Sequence, residues 1–363
     1  MYLASNMLLE PLTFRNGVHA RNRVWLAPMT NLQSAADGQL SDEEFNWLRM
    51  RAEGGFGVIE TCAAHVSADG QGWSGELGIY GDHLRPGLAR LAAMISGAGA
   101  LGIVQIFHGG QRAPSALTGA APWSAVAGEA QGAETARAAT LDDIARVIAD
   151  FRSAAVRAHA AGFAGVELHG AHGYLLGQFL SNINTRSDGW GGTVEGRARL
   201  AREVLRAVRS AVPASFLVGI RLSPEEYGNA RGIDLDETIQ AAQWLCDDGA
   251  DFIHLSIWNT KRNSRKRPDE HVIPLFRAAL PREVAIVVAG DIWTRGDAEA
   301  LLDIGASAVA LGRSAIATPD WPHRAIEATW EPRRPPFTIA ELCERGLSAQ
   351  FAEYMRQWKG FVG

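Results

Sequence analysis

The stretch 140–170, TLDDIARVIADFRSAAVRAHAAGFAGVELHG, decides the fold. Its first part sets Leu141, Ile144, Val147, Ile148, Phe151 and Ala155 on one stripe at helical spacing. Thr140 stands at the N-cap position, where a hydroxyl can accept an orphan backbone N–H, and Gly162 stands where a left-handed stop is needed. A short apolar run, Gly165–Leu168, follows at once and lacks polar–apolar alternation, as expected of a parallel strand covered on both faces. A helix feeding such a strand is half of a βαβ unit, so the fold depends on how often the unit recurs.

It recurs along the whole chain. Comparable runs occupy Val24–Ala27, Gly57–Glu60, Ile103–Phe107, Leu217–Arg221, Phe252–Leu255, Ala285–Ala289 and Ala308–Leu311. Asp234 with Glu237 resembles a capping box opening DLDETIQAAQWLCDDG, and Thr294 can cap TRGDAEALLDIG. Eight strand–helix units close most simply into an α/β fold of the (β/α)8 TIM-barrel class. Residues 1–363 are therefore expected to form a single barrel domain with three additions. In residues 1–22 a hairpin turning at Asn16-Gly17 is expected to plug the barrel floor. Residues 109–139, rich in Ala, Gly and Pro, read as a capping excursion over the barrel mouth, since structureless loops of that length usually have a binding role. Residues 321–363 form a helical tail that either packs on its own barrel or reaches a neighbouring subunit.

Composition narrows the function. The chain has 363 residues, 47% of them hydrophobic, and a formal net charge of -5, so a broad basic face for nucleic acid is not expected. The one basic run, Lys261–Arg267 (KRNSRKR), reads as a solvated loop, with a contact to a dinucleotide phosphate as the sharper alternative. Cys62, Cys246 and Cys343 are scattered and odd in number, which excludes a disulfide framework and fits a reducing compartment. No run approaches roughly 18 uninterrupted apolar residues, and the first residues do not read as a secretion signal. The expectation is a soluble, cytoplasmic protein with no membrane partner.

In a barrel the C-terminal strand ends carry the chemistry. Here they are unusually polar: Pro28-Met29-Thr30 after the first strand, Thr61-Cys62-Ala63 after the second, Gln105 and His108 on the third. His169, His172 and Tyr174 follow the fourth, Arg221 closes the fifth, Ser256 the sixth, Gly290 the seventh and Gly312-Arg313 the eighth. Loops after strands seven and eight often hold phosphate, so Gly290, Gly312 and Arg313 point to an anion. His169 and His172, three apart, can face one substrate oxygen, and the Tyr174 phenol can give a proton to a developing carbanion. A metal would need a third ligand. His108 is conceivable, but no carboxylate or thiolate cluster accompanies it, and none is expected.

These residues also carry a resemblance. HGAHGYLLGQFLSNINTRSDGWGGTVEGRAR at His169–Arg199 is similar to the signature of the Old Yellow Enzyme (NADH:flavin oxidoreductase) family. So are NRVWLAPMT at Asn22–Thr30, QIFHGGQR at Gln105–Arg112, VGIRLSP at Val218–Pro224 and VALGRSAIATPDWP at Val309–Pro322. The resemblance implies non-covalently bound FMN, reduced by NADH or NADPH and reoxidised by a small-molecule alkene. Pro28, Met29 and Thr30 would line the flavin, Ala63 would pack on its ring, and Gln105 would bond its pyrimidine edge. Arg221 would sit near N1 and O2, and Gly290, Gly312 and Arg313 would hold the phosphate. His169 and His172 would anchor a carbonyl or nitro oxygen, and Tyr174 would protonate the α-carbon after hydride transfer from flavin N5. A homodimer or larger oligomer follows from family habit.

The chain departs from the pattern in places. Thr30 stands where some members carry a redox-tuning cysteine, Trp190 replaces the tyrosine before Gly191-Gly192, and Gly196 and Asn182 replace an asparagine and a proline. Cys62, just before Ala63, reads as a small buried residue. Alternative functions are 2,4-dienoyl-CoA reductase-like chemistry, which needs an iron–sulfur cluster and a further dinucleotide domain, or a flavin-free phosphate-binding barrel lyase or isomerase.

Overall fold

The structure, a computed structural model, describes residues 7–129 and 134–363. Residues 1–6 of the N-terminal segment and 130–133 of the expected excursion lie outside the described residues.

Eight parallel strands form a closed ring: β1 (Val24–Leu26), β2 (Val58–Glu60), β3 (Leu101–Phe107), β4 (Gly165–Gly170), β5 (Leu217–Leu222), β6 (Phe252–Ser256), β7 (Ala285–Ala289) and β8 (Ala308–Leu311). Each pairs with the next, and β8 returns to β1 through the register Val309↔Val24 to Leu311↔Leu26. Helices follow the strands in turn: α1 (Asp42–Glu53), α2 (Arg85–Gly97), α3 (Leu141–Ala160), α4 (Val194–Ala211), α5 (Leu235–Asp247), α6 (Val272–Ala279), α7 (Arg295–Asp303) and α8 (Arg313–Ala317). All eight predicted strand runs are strands of this barrel.

The runs look continuously apolar because both faces are buried, but the two faces enter different cores. Leu26, Ile59, Val104, Ile106, Val166, Leu168, Val218, Ile220, Ile253 and Val288 pack outward against the helices. Trp25, Ala27, Val58, Ile103, Leu217, Phe252, Val287, Ala289 and Ala310 pack inside the ring. The inner side chains lie in layers contributed by alternate strands. At the floor the hairpin Leu12–Thr13/His19–Ala20, with Gly17 in a left-handed conformation at its turn, pushes Phe14 against Trp25 (6.0 Å) and Phe252 (6.3 Å). Gly219 makes this possible, since a Cβ there would stand 2.2 Å from the Phe252 ring. Higher up, β2, β4 and β6 turn Glu60, Glu167 and His254 inward, all buried. Above them Ala27, Gln105, Arg221 and Ala289, from the odd-numbered strands, floor a cavity. The inner core therefore grades from aromatic to ionic along the barrel axis.

Helix ends follow their sequence signals with one exception. Thr140 and Asp143 form a reciprocal capping box on α3, as do Thr294 and Asp297 on α7, and Gly162 is left-handed. Asp234 caps α5, but the Glu237 carboxylate pairs with Arg197 instead of returning to the cap.

The excursion needs correction. Its described part is not structureless: Trp123–Ser124, Gly128–Glu129 and Thr135–Ala138 form a three-stranded sheet. These strands are too short to leave a periodic trace. Trp123 packs on His108, with ring centroids 4.9 Å apart, and donates to Asp69, while Arg112 of the same segment lies over the Tyr174 ring. The tail packs on its own barrel and adds to the cavity wall. Phe351 meets Trp47 edge-on at 5.1 Å, Ser348 N donates to Gln33, and Arg51 donates to the carbonyl of Arg345.

Candidate active site

Thirteen side chains or backbone segments singled out from the sequence line one cavity of about 320 Å³ at the C-terminal end of the barrel. They are Pro28, Met29, Thr30, Ala63, Gln105, His169, His172, Tyr174, Arg221, Ser256, Gly290, Gly312 and Arg313. His108 is not among them. Its Nδ1 accepts from Gly110 N, and its ring lies against Trp123 near Asp69, so it does not join the other two histidines.

The histidine pair has a readable protonation pattern. Burial, then the charges of neighbouring groups (Arg221 among them), push both imidazoles well below the usual histidine range, so both are neutral. His169 Nδ1 accepts from Ala171 N, which assigns the ring proton to Nε2. Arg221 donates to the Ser256 hydroxyl at 3.2 Å, and that hydroxyl lies 2.7 Å from His172 Nε2. When that hydroxyl, accepting from the guanidinium, donates to Nε2, the His172 proton stands on Nδ1. Each ring then has one N–H to offer. The rings stand 5.0 Å apart in an edge-to-face arrangement, with His172 held at a positive φ of 59°.

Tyr174 completes this end. Its ring lies 4.9 Å from His169 and 4.8 Å from Phe107. Burial raises the phenol pKa, keeping it protonated, while the Arg112 guanidinium 4.3 Å over the ring opposes that shift. Arg112 is itself tied to the carbonyl of His172.

On the cavity floor, Gln105 Nε2 donates to Glu167 Oε1 at 2.7 Å. Arg221 reaches the carbonyl of Pro28 through Nη1, and its Nε is buried without a partner among the described residues. At the opposite wall Gly290 has φ +153°, and a Cβ there would stand 1.5 Å from the Ile257 carbonyl oxygen, so only glycine fits. Gly312 occupies the next inward position of β8 after Ala310, where a Cβ would meet only Met29 Sδ at 3.6 Å. Arg313 borders the cavity paired with Asp291.

Sequence reading missed part of the wall. Trp73 enters from the β2–α2 segment, where Glu76 accepts from the backbone N–H groups of Gly72 and Trp73. Tyr354, Met355 and Trp358 come from the tail. No motif marks them, because they reach the cavity through tertiary packing alone. Cys62 is buried, with burial and the neighbouring Glu44 raising its thiol pKa. In the basic run Lys261 pairs with Asp297, Lys266 with Asp234 and Asp236, and Arg267 with Asp236. The departures downstream of Tyr174 fit one another: a Cβ at Gly196 would stand 2.2 Å from the Gly191 carbonyl, and Arg199 stacks on Trp190.

The model of the NADH:flavin oxidoreductase / NADH oxidase family matches residues 7–329. A probable NADH-dependent flavin oxidoreductase of Bacillus subtilis (strain 168) is 36% identical over 325 residues, covering 86% of each chain. The NADH:fumarate oxidoreductase of Klebsiella pneumoniae (strain 342) is 35% identical over 88% of this chain, which spans only 36% of that longer protein. An old yellow enzyme homologue from Zymomonas mobilis superposes with a TM-score of 0.83 at 28% identity, over 96% of this chain and 99% of that one. No helix among the described residues is long and apolar enough to cross a membrane.

Proposed function

The chain belongs to the NADH:flavin oxidoreductase / NADH oxidase family, and on that premise we propose that it reduces the carbon–carbon double bond of α,β-unsaturated carbonyl or nitro compounds in this cavity. It is an FMN-dependent NAD(P)H oxidoreductase of the Old Yellow Enzyme type. The residues present fit that cofactor. The orphaned Nε of Arg221 awaits an acceptor on the floor, and Gly290 and Gly312 leave the opposite wall free of side chains. Pro28, Met29, Thr30 and Ala63 would wall the ring, Gln105 and Arg221 would meet its polar edge, and Gly290, Gly312 and Arg313 would take the phosphate. When bound, FMN would supply the hydride chemistry between the nicotinamide and the alkene.

The observation that carries the substrate reading is the pair of neutral imidazoles, each with one N–H, beside a buried protonated phenol. Two preorganised donors converging on one oxygen stabilise negative charge building on a carbonyl or nitro group. Tyr174 then gives its proton to the α-carbon, and Arg112 over the ring stabilises the phenolate left behind. Trp258, 72% exposed at the rim, offers a flat face to an incoming nicotinamide or substrate.

Anaerobic stopped-flow at the flavin absorbance band tests this on FMN-loaded protein. Bleaching by NAD(P)H, then recovery with cyclohexenone that slows in His169→Ala, is the expected result. Bleaching without recovery on any enone, maleimide or nitroalkene would retain the cofactor and overturn the substrate class.

A further inference from the structure

Beneath the cavity floor lies a charged group that the proposed chemistry does not use. Glu60, Glu167 and His254 offer ligand-type atoms within 4.8 Å of one another, and all three side chains are fully buried. Glu167 accepts twice, from Gln105 Nε2 at 2.7 Å and from His254 Nδ1 at 2.7 Å. Glu60 Oε2 lies 3.5 Å from the same His254 nitrogen, and neither Glu60 oxygen has a hydrogen-bond partner among the described residues. Two carboxylates sharing one imidazole in a dry interior do not both ionise.

We propose that Glu60, Glu167 and His254 form a proton-holding cluster under the FMN site, in which ionised Glu167 fixes the Gln105 amide and neutral Glu60 sets the charge beneath the cofactor. The proposal rests on the FMN-dependent reading above. Glu167 is a positioning residue. By engaging the Gln105 nitrogen it leaves the amide carbonyl oxygen as the group offered to the cavity, an acceptor suited to an N–H on the cofactor's polar edge.

The charge count follows from the same contacts. Arg221 is a cation, and at His254 burial opposes the charge while Glu167 more than offsets it, raising the imidazole pKa. Glu167 is the anion, held low by His254 and Arg221 against its own burial. Burial, then the charge of Glu167, pushes the Glu60 carboxyl up to about 8. The other side chains of these two layers, Ala27, Ala289 and Ala310, carry no charge. Ionising Glu60 thus adds one negative charge beneath the ring. A surplus cation favours the reduced, anionic cofactor, so ionising Glu60 lowers the potential of bound FMN.

The test compares wild type with Glu60→Gln and Glu167→Gln, measuring the midpoint potential of bound FMN against pH and the affinity of apoprotein for FMN by fluorescence quenching. Wild type should show an extra downward step through about pH 8. Glu60→Gln, a neutral isostere, should lose the step and keep the neutral-pH potential, while Glu167→Gln should weaken FMN binding by at least about tenfold. Identical pH curves for Glu60→Gln and wild type, or unchanged FMN affinity in Glu167→Gln, would overturn the proposal. Infrared difference spectra of unliganded wild type provide a check independent of folding in the variants and of the cofactor. A protonated carboxylic-acid band should bleach near pH 8, and its absence would refute the cluster. Wild-type protein that shows the band but binds no FMN would instead sink the functional reading.

Discussion

At Tyr174 the demands of packing and of proton transfer meet in one side chain. Its ring is wedged among Phe107, His169 and Trp73, so the hydroxyl cannot wander, and burial keeps the proton on it until a stronger base forms. Tyr174→Phe should keep the ring packing and slow alkene-dependent reoxidation by about a hundredfold or more, leaving reduction by NAD(P)H near wild type. Both half-reactions followed separately by stopped-flow check this. Gly290 is constrained from the other side of the cavity. Gly290→Ala would drive a methyl into the Ile257 carbonyl at a φ of +153°, so thermal melting should fall and FMN retention on gel filtration should be lost. Unchanged melting and retention would mean that the loop after β7 yields more easily than its contacts indicate.

Among the elements, α3 and the tail show two kinds of support for the same site. Helix α3 begins with a closed capping box, so Thr140→Ala should cost about 1 kcal/mol in urea unfolding and leave FMN affinity alone. The tail has the same local device, a closed capping box of Thr338 and Glu341, but its hold on the barrel is tertiary. It holds to the barrel through Phe351 against Trp47 and a few backbone bonds, and its value to the site is the Tyr354, Met355 and Trp358 wall. Phe351→Ala empties a fully buried position at a cost of about 3–5 kcal/mol. Because the loosened tail carries the wall away, KM for a large enone should rise while KM for a small one changes little. Equal effects on both would assign the tail a purely structural part.

For the whole molecule, buried titratable groups set a pH window of stability. Burial holds His65 at about 4, against 6.5 when unfolded. A depressed folded pKa means that its contribution, up to roughly 3 kcal/mol, is present above pH 6.5 and lost as pH falls through about 4. His169 and His172 act in the same direction. Glu60 works oppositely: its raised pKa gives stability that is present below about 4.5 and fades as pH rises through about 8. Melting temperature should therefore decline on both sides of neutrality, with His65→Gln flattening the acid limb and Glu60→Gln the alkaline one. A flat profile in wild type would contradict the burial of both groups.

The sequence by itself determined the barrel, because each strand run is buried on both faces and each helix has one apolar stripe, and such signals survive without knowledge of neighbours. It also marked many of the residues that line the cavity, since strand ends in a barrel are where polar groups have no packing reason to be. Glu60, Glu167 and His254 were within reach of the same reasoning. Each is a charged residue at an inward position of an apolar run, and the neighbouring Gln105 and Arg221 share that alternation. Only the tertiary structure decided that these three touch, that His108 turns away to Trp123, that the described part of 109–139 forms a three-stranded sheet, and that the tail walls the cavity. Those outcomes depend on ring closure and on contacts between residues as far apart as Trp47 and Phe351. Local periodicity carries no record of such distances.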